Sequence, residues 1–137
     1  MIFEFEIEGR PVGKGRPRFA RRGNFVSTYT PTATRDYEKK VQTRFIQKYG
    51  NIEPLETSVA LKIKAYFGVP KGTSKRKTFE LMGTHYPKKP DVDNISKIIL
   101  DALNGLAFID DNRVVYLEVQ KFYNEDEKVV VSVEEME

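Results

Sequence analysis

The chain has 137 residues, 39% hydrophobic, 31% charged and 12% aromatic, the make-up of one domain over residues 1–137 that can bury a core without metal or disulfide. It has no cysteine and one histidine, His85, which excludes thiolate zinc sites, disulfide scaffolds and cysteine nucleophiles and argues against Ser-His-Asp or multi-histidine centres. Net charge is only +3, and no apolar run approaches the ~20 residues of a membrane span, so the expectation is a soluble, cytoplasmic protein with no membrane partner.

Met1 to Glu8 alternates Phe3, Phe5 and Ile7 with Glu4, Glu6 and Glu8, the period-two pattern of a strand with one wet face. Gly9 to Thr30 is rich in glycine, proline and arginine and reads as a long functional loop, with room for a short strand at Asn24 to Tyr29. Thr32 to Tyr49 places Tyr37, Val41, Phe45 and Tyr49 at four-residue steps and stops at Gly50, which predicts a helix with Thr32 as its N-cap. Thr57 to Val69 alternates again, and its outward Lys62 and Lys64 are expected to pair with the glutamates of the first strand. A short helix is predicted over Thr73 to Met82. A longer one is predicted over Asp93 to Asn104, where Ile95, Ile98, Ile99, Ala102, Leu103 and Leu106 follow helical spacing and Leu100 falls on the polar side. Arg113 to Tyr123 and Lys128 to Glu134 read as two strands joined by a tight turn, the second a solubilising surface strand, with Val115, Leu117 and Val119 facing inward. The sum is an α+β fold, a four-stranded, mainly antiparallel sheet with helices packed on one face.

The charge is unevenly spread. Arg10 to Arg22 holds Arg10, Lys14, Arg16, Arg18, Arg21 and Arg22 with no acid, interleaved with Phe19 and Phe25, a composition suited to phosphate contact with base or sugar packing. Pro70 to Pro90 is a second basic tract, with Lys88 and Lys89 leading into an acidic stretch, and His85 in it is read as exposed or phosphate-contacting. In that stretch Asp91-Val-Asp93 precedes the second long helix. If it is extended, its two carboxylates project to one side and suit a hard cation, Mg²⁺ with Mn²⁺ as a substitute; the competing use of Asp93 is as a helix cap. Lys97 and Asp101 follow Asp93 at one-turn steps, either as a surface charge ladder or with Lys97 directed at a phosphate. Asp110-Asp111 is a turn, and Asp111 shares the parity of the inward strand residues.

From Lys89-Pro90-Asp91-Val-Asp93-Asn94-Ile-Ser-Lys97 through Asp101-Ala-Leu-Asn104 to Asp110-Asp111-Asn-Arg-Val114, the chain resembles the RusA family of Holliday-junction resolvases. The resemblance implies a small homodimeric, metal-dependent endodeoxyribonuclease, often prophage-encoded, that cuts four-way junction DNA symmetrically in recombination and repair. It also implies that Asp91, Asp93 and Asp111 are catalytic metal ligands and that Lys97 is the essential lysine. Lys14, Arg16, Arg18, Arg21, Arg22, Lys88 and Lys89 are then the expected DNA contacts. The alternative is a branched-DNA binding protein of the same fold, inactive or of different specificity.

Overall fold

The computed structural model describes residues 1–136; the side chains of Arg18 and Arg22, and all of Glu137, lie outside the described residues. In chain order the elements are β1 (Ile2–Glu8), β2 (Arg18–Arg22), β3 (Phe25–Tyr29), α1 (Thr32–Tyr49), β4 (Val59–Phe67), α2 (Lys75–Leu81), α3 (Val92–Leu103), β5 (Val114–Tyr123) and β6 (Lys128–Glu135). The main sheet has the order β1-β6-β4-β5, antiparallel except for the β4–β5 pair, and β2 and β3 form a separate two-stranded ribbon.

Alternation builds the sheet. Phe3, Phe5 and Ile7 of β1, Leu61, Ile63, Ala65 and Phe67 of β4, and Val129, Val131 and Val133 of β6 all turn one way and are buried. Tyr37, Val41 and Phe45 of α1 and Ile95, Ile98, Ile99, Ala102 and Leu103 of α3 cover that face. Phe45 is the hub, its ring meeting Phe3 and Phe5 edge-on at 5.7 and 5.4 Å, and truncating a ring so enclosed costs about 3–5 kcal/mol. Helix α1 ends where Gly50 takes φ 71°, a left-handed position that glycine fills without a Cβ clash.

Several expectations are corrected. β5 and β6 are not a hairpin. The turn at 124–127 passes over the end of β4, where the Asn124 amide donates to the Phe67 carbonyl at 2.8 Å, and delivers β6 between β1 and β4. β6 is therefore a central strand, not a surface one, and β1 never meets β4. Glu6 faces Lys128 of β6 at 3.5 Å instead of Lys62 or Lys64. β5 is the edge strand: Val119 packs on the core as expected, and Leu117, paired with Leu61, keeps the inward face but, like Val115, stays exposed. Thr32 is the first residue of α1; Pro31 holds the N-cap position and no side chain caps it. Leu100 is partly buried against the core, not stranded on a polar face. The Gly9–Thr30 loop contains the whole β2–β3 ribbon, one strand more than the sequence pattern predicts.

Candidate nucleic-acid interface and carboxylate site

The parallel pair β4–β5 is linked through α2 and α3, so the N-terminus of α3 lies at the C-terminal ends of both strands. Lys121, near the end of β5, fixes this junction by donating its ammonium to the Lys88 and Pro90 carbonyls at 2.6 and 3.0 Å. Residues 83–86 close the outer edge of β5 here, the Tyr86 amide donating to Lys121 O and the Tyr123 amide to Thr84 O. Tyr86 is buried and stacked on Phe67 at 3.9 Å, while His85, exposed as expected, stacks on Phe122 at 5.1 Å.

Asp91 sits at the N-cap position of α3, but its carboxylate makes no capping bond, and Asp93 follows in the first turn. The pair is thus not an extended i, i+2 pair, because helix geometry begins at Val92. Nor does Asp93 cap the helix; the hydrogen bond it accepts is at its carbonyl, from the Ser96 hydroxyl at 2.8 Å. Asp91 lines a cleft of about 590 Å³ with Arg10, Lys14, Arg16 and Lys89, whereas Asp93 lines a neighbouring hollow with Val92, Ser96, Leu117 and Val119. Four basic residues and the positive end of a helix dipole thus surround one exposed carboxylate, Arg10 being paired with Glu127 at 2.8 Å.

The wall of the cleft is built by Gly13-Lys14-Gly15. A Cβ on Gly13 would lie 2.8 Å from Pro90 Cβ, so only glycine lets the backbone approach α3 this closely. The Lys14 amide donates to Asn94 O at 2.9 Å, and the Gly15 amide donates to the buried Thr34 hydroxyl of α1 at 3.1 Å. The Lys14 ammonium is held by Glu38 of α1 at 2.6 Å and by Asp101 of α3 at 3.0 Å. Burial works to lower its pKa, but the bonds to Glu38 and Asp101 outweigh that and the net shift is upward. Lys14, expected among the DNA contacts, is therefore a tether. Asp101 is its partner and not the next rung of a ladder from Lys97, which is exposed and forms no ion pair among the described residues.

Asp111 opens the short 3₁₀ turn before β5, and Asp110 caps that turn by accepting the Asn112 amide at 3.1 Å. Asp110 thus serves the turn, and the side chain of Asp111 is exposed. Yet Asp111 precedes the start of β5, whereas Pro90, next to Asp91, is held by Lys121 near the other end of that strand. Among the described residues no three His, Cys, Asp or Glu side chains come close enough to hold one ion. The oxygen donors suit Mg²⁺ in kind, but one copy of the chain does not gather them.

Arg16, Arg21, Lys88 and Lys89 are exposed, Arg16 and Lys89 at the cleft and Arg21 on the ribbon; the expected contacts of the Arg18 and Arg22 side chains fall outside the described residues. Sequence reasoning missed Arg10 as a cleft residue, and it missed Lys121 and Glu38 as the groups that fix the cleft's walls. The glycines flanking Lys14 were the available signal, since paired glycines mark close backbone approach.

The chain is thus an α+β domain whose one parallel strand pair ends at a cation-lined cleft beside a helix-start carboxylate. Residues 8–134 match the family described as endodeoxyribonuclease RusA, and the chain belongs to that family. It is 36% identical over 138 residues to the uncharacterized protein YqaN of Bacillus subtilis (strain 168), an alignment covering 97% of this chain and 96% of that one. It is also 26% identical over 135 residues to the crossover junction endodeoxyribonuclease rusA of Lactococcus phage r1t, covering 98% of this chain and 97% of that one. Among the described residues no helix is long and apolar enough to cross a membrane.

Proposed function

We propose that this protein is a Mg²⁺-dependent endonuclease that resolves four-way DNA junctions by paired nicks, acting as a homodimer. The observation that carries the reading is the cleft at the start of α3, where the exposed Arg16 and Lys89 can hold a backbone phosphate beside Asp91. Asp91, Asp93 and Asp111 would hold the ion, which supplies Lewis-acid polarisation of the phosphate and lowers the pKa of a bound water. The ammonium of Lys97, exposed one turn beyond Asp93 and without an ion pair among the described residues, would offset charge that develops on the reacting phosphate.

The separation of Asp111 from Asp91 supports a dimer. Val114 to Gln120 is an open strand edge with Val115, Tyr116 and Leu117 exposed, and a second copy laid antiparallel along it covers those side chains. In that arrangement the Asp111 end of one β5 lies beside the Lys121 end of the other, where Asp91 stands, so each site takes carboxylates from both copies. A two-fold pair of sites also matches a four-way junction, which must be cut at two equivalent places.

The same separation favours, as a second reading, a branched-DNA binding protein that does not cleave. Competition among a four-way junction, a linear duplex and a flap, with and without Mg²⁺, decides between them. Preferred, symmetric nicking of the junction is the expected result. Tight junction binding with no cleavage in Mg²⁺ or Mn²⁺ would establish the second reading.

A further inference from the structure

Between Glu8 and Asp36 the chain carries seven arginines and lysines and no acid, and the β2–β3 ribbon lies within this stretch. β2 and β3 pair with each other alone, and among the described residues neither packs substantially on a helix or on the main sheet. Its turn is Gly23-Asn24, with φ 59° at Gly23 and no positive φ at Asn24, the pattern of a type II′ hairpin turn. Every residue of β3 is exposed, Phe25 by 79%, and Phe19 of β2 by 73%. A two-stranded ribbon alone is marginal in water, and exposed aromatic rings add apolar surface that nothing among the described residues covers. The surrounding charge selects a polyanion as the partner.

Position distinguishes the two rings. Phe25 pairs with Arg22 immediately after the turn, so it stands at the tip, whereas Phe19 pairs with Thr28 near the base. Tyr29 lies four steps along β3 from Phe25, a reach of roughly 13 Å in extended chain, more than the ~8.5 Å depth of a DNA major groove. A ring at that reach meets base faces, not the phosphate backbone, and bases at a branch point are the ones whose stacking is already interrupted.

We propose that Phe25 stacks on an exposed base at the branch point, the ribbon being carried into the junction by its arginines. The proposal rests on the four-way-junction reading above and names the residue that recognises the branch. In EDTA, where no cutting occurs, Phe25→Leu should weaken binding to a four-way junction roughly five- to hundredfold, the range for one lost base–aromatic stack. Affinity for linear duplex and the salt slope of junction binding should be unchanged, because no charge is removed. Phe25→Tyr, which keeps a π face, should restore binding, and 2-aminopurine at the branch should change emission with wild type and Phe25→Tyr but not with Phe25→Leu. Equal losses on junction and duplex, or no loss, overturn the proposal. So does a change in oligomeric state on light scattering, which would assign the ribbon to a second copy of the chain. Wild type showing no preference for the junction would instead remove the reading beneath it, a result distinguishable from a Phe25→Leu variant that binds as wild type does.

Discussion

Replacing Lys14 by Met keeps most of the stem and removes the ammonium that joins α1 to α3. That ammonium donates to Glu38 and Asp101, with side-chain exposures of 18% for the lysine and 19% and 31% for its partners, so water screens the group only in part. A charge-assisted hydrogen bond contributes about 1.5–3 kcal/mol. Two of them, partly exposed, with two carboxylates left facing each other once the lysine is gone, set the expected loss at about 3 kcal/mol. In a domain of this size that is a fall in Tm of roughly 10 °C, read by circular dichroism. The Lys14 pKa is raised in the fold, so its contribution is complete below the unfolded lysine value of about 10.4 and is lost as pH rises through the higher folded value. The deficit of the variant should therefore hold steady from pH 6 to 9 and close only in strong alkali. A double-mutant cycle with Glu38→Gln should show coupling, and the salt slope of DNA binding should stay at the wild-type value. Arg16→Ala, by contrast, should reduce that slope by about 0.9 with little change in Tm. A Lys14→Met protein that melts like wild type but loses 0.9 of salt slope would refute the tether and return Lys14 to the DNA surface.

Three further outcomes are expected. Asp91→Asn, Asp93→Asn and Asp111→Asn should each abolish junction nicking while binding in EDTA persists or tightens, and Asp110→Asn, confined to its turn, should retain most activity; robust nicking by Asp93→Asn would count against the ion site. Leu117→Glu places a charge at the middle of the open β5 edge and should leave a folded monomer with no nicking activity, so an active dimer would exclude β5 as the interface. The hydrogen bond from Arg44 holds the Glu8 carboxyl at about 2, below its ordinary 4.5. Its stabilisation is present above about pH 4.5 and lost as pH falls toward 2, and Glu8→Gln should flatten the acid limb of a pH–Tm profile over that window.

What could be read in advance followed from side-chain period. Phe3-Phe5-Ile7 and the Ile95–Leu103 stripe each show which face is buried, and those faces were assigned correctly; Val129-Val131-Val133, read as part of a surface strand, was not. Which strands are neighbours was not legible, because pairing runs through backbone N–H and C=O groups that every residue carries. Val129, Val131 and Val133 look the same in an edge strand as in the central strand they form. The carboxylate site was legible in composition and order but not in geometry. Asp91 and Asp93 were visible as a pair, but the helix start at Val92 that parts them into two hollows depends on how α3 docks. The ion pairs of Lys14 were hidden for a similar reason: a lysine in an arginine-rich loop looks free until Glu38, 24 residues on, and Asp101, on another helix, fold against it.

The position of β6 bears on how the protein is made. Both hydrogen-bonding edges of residues 128–135 are occupied, by residues 2–8 on one side and 59–66 on the other. Until residues 128–135 are synthesised, β1 has no strand to pair with and the apolar faces of β1 and β4 have nothing between them. A growing chain therefore holds much of its sheet in an unfinished state during translation, and a fragment ending before Lys128 keeps only the β4–β5 pair of the main sheet. Folding should occur as one late, cooperative event, dominated by contacts distant in sequence and exposed to chaperones and proteases until the last strand arrives.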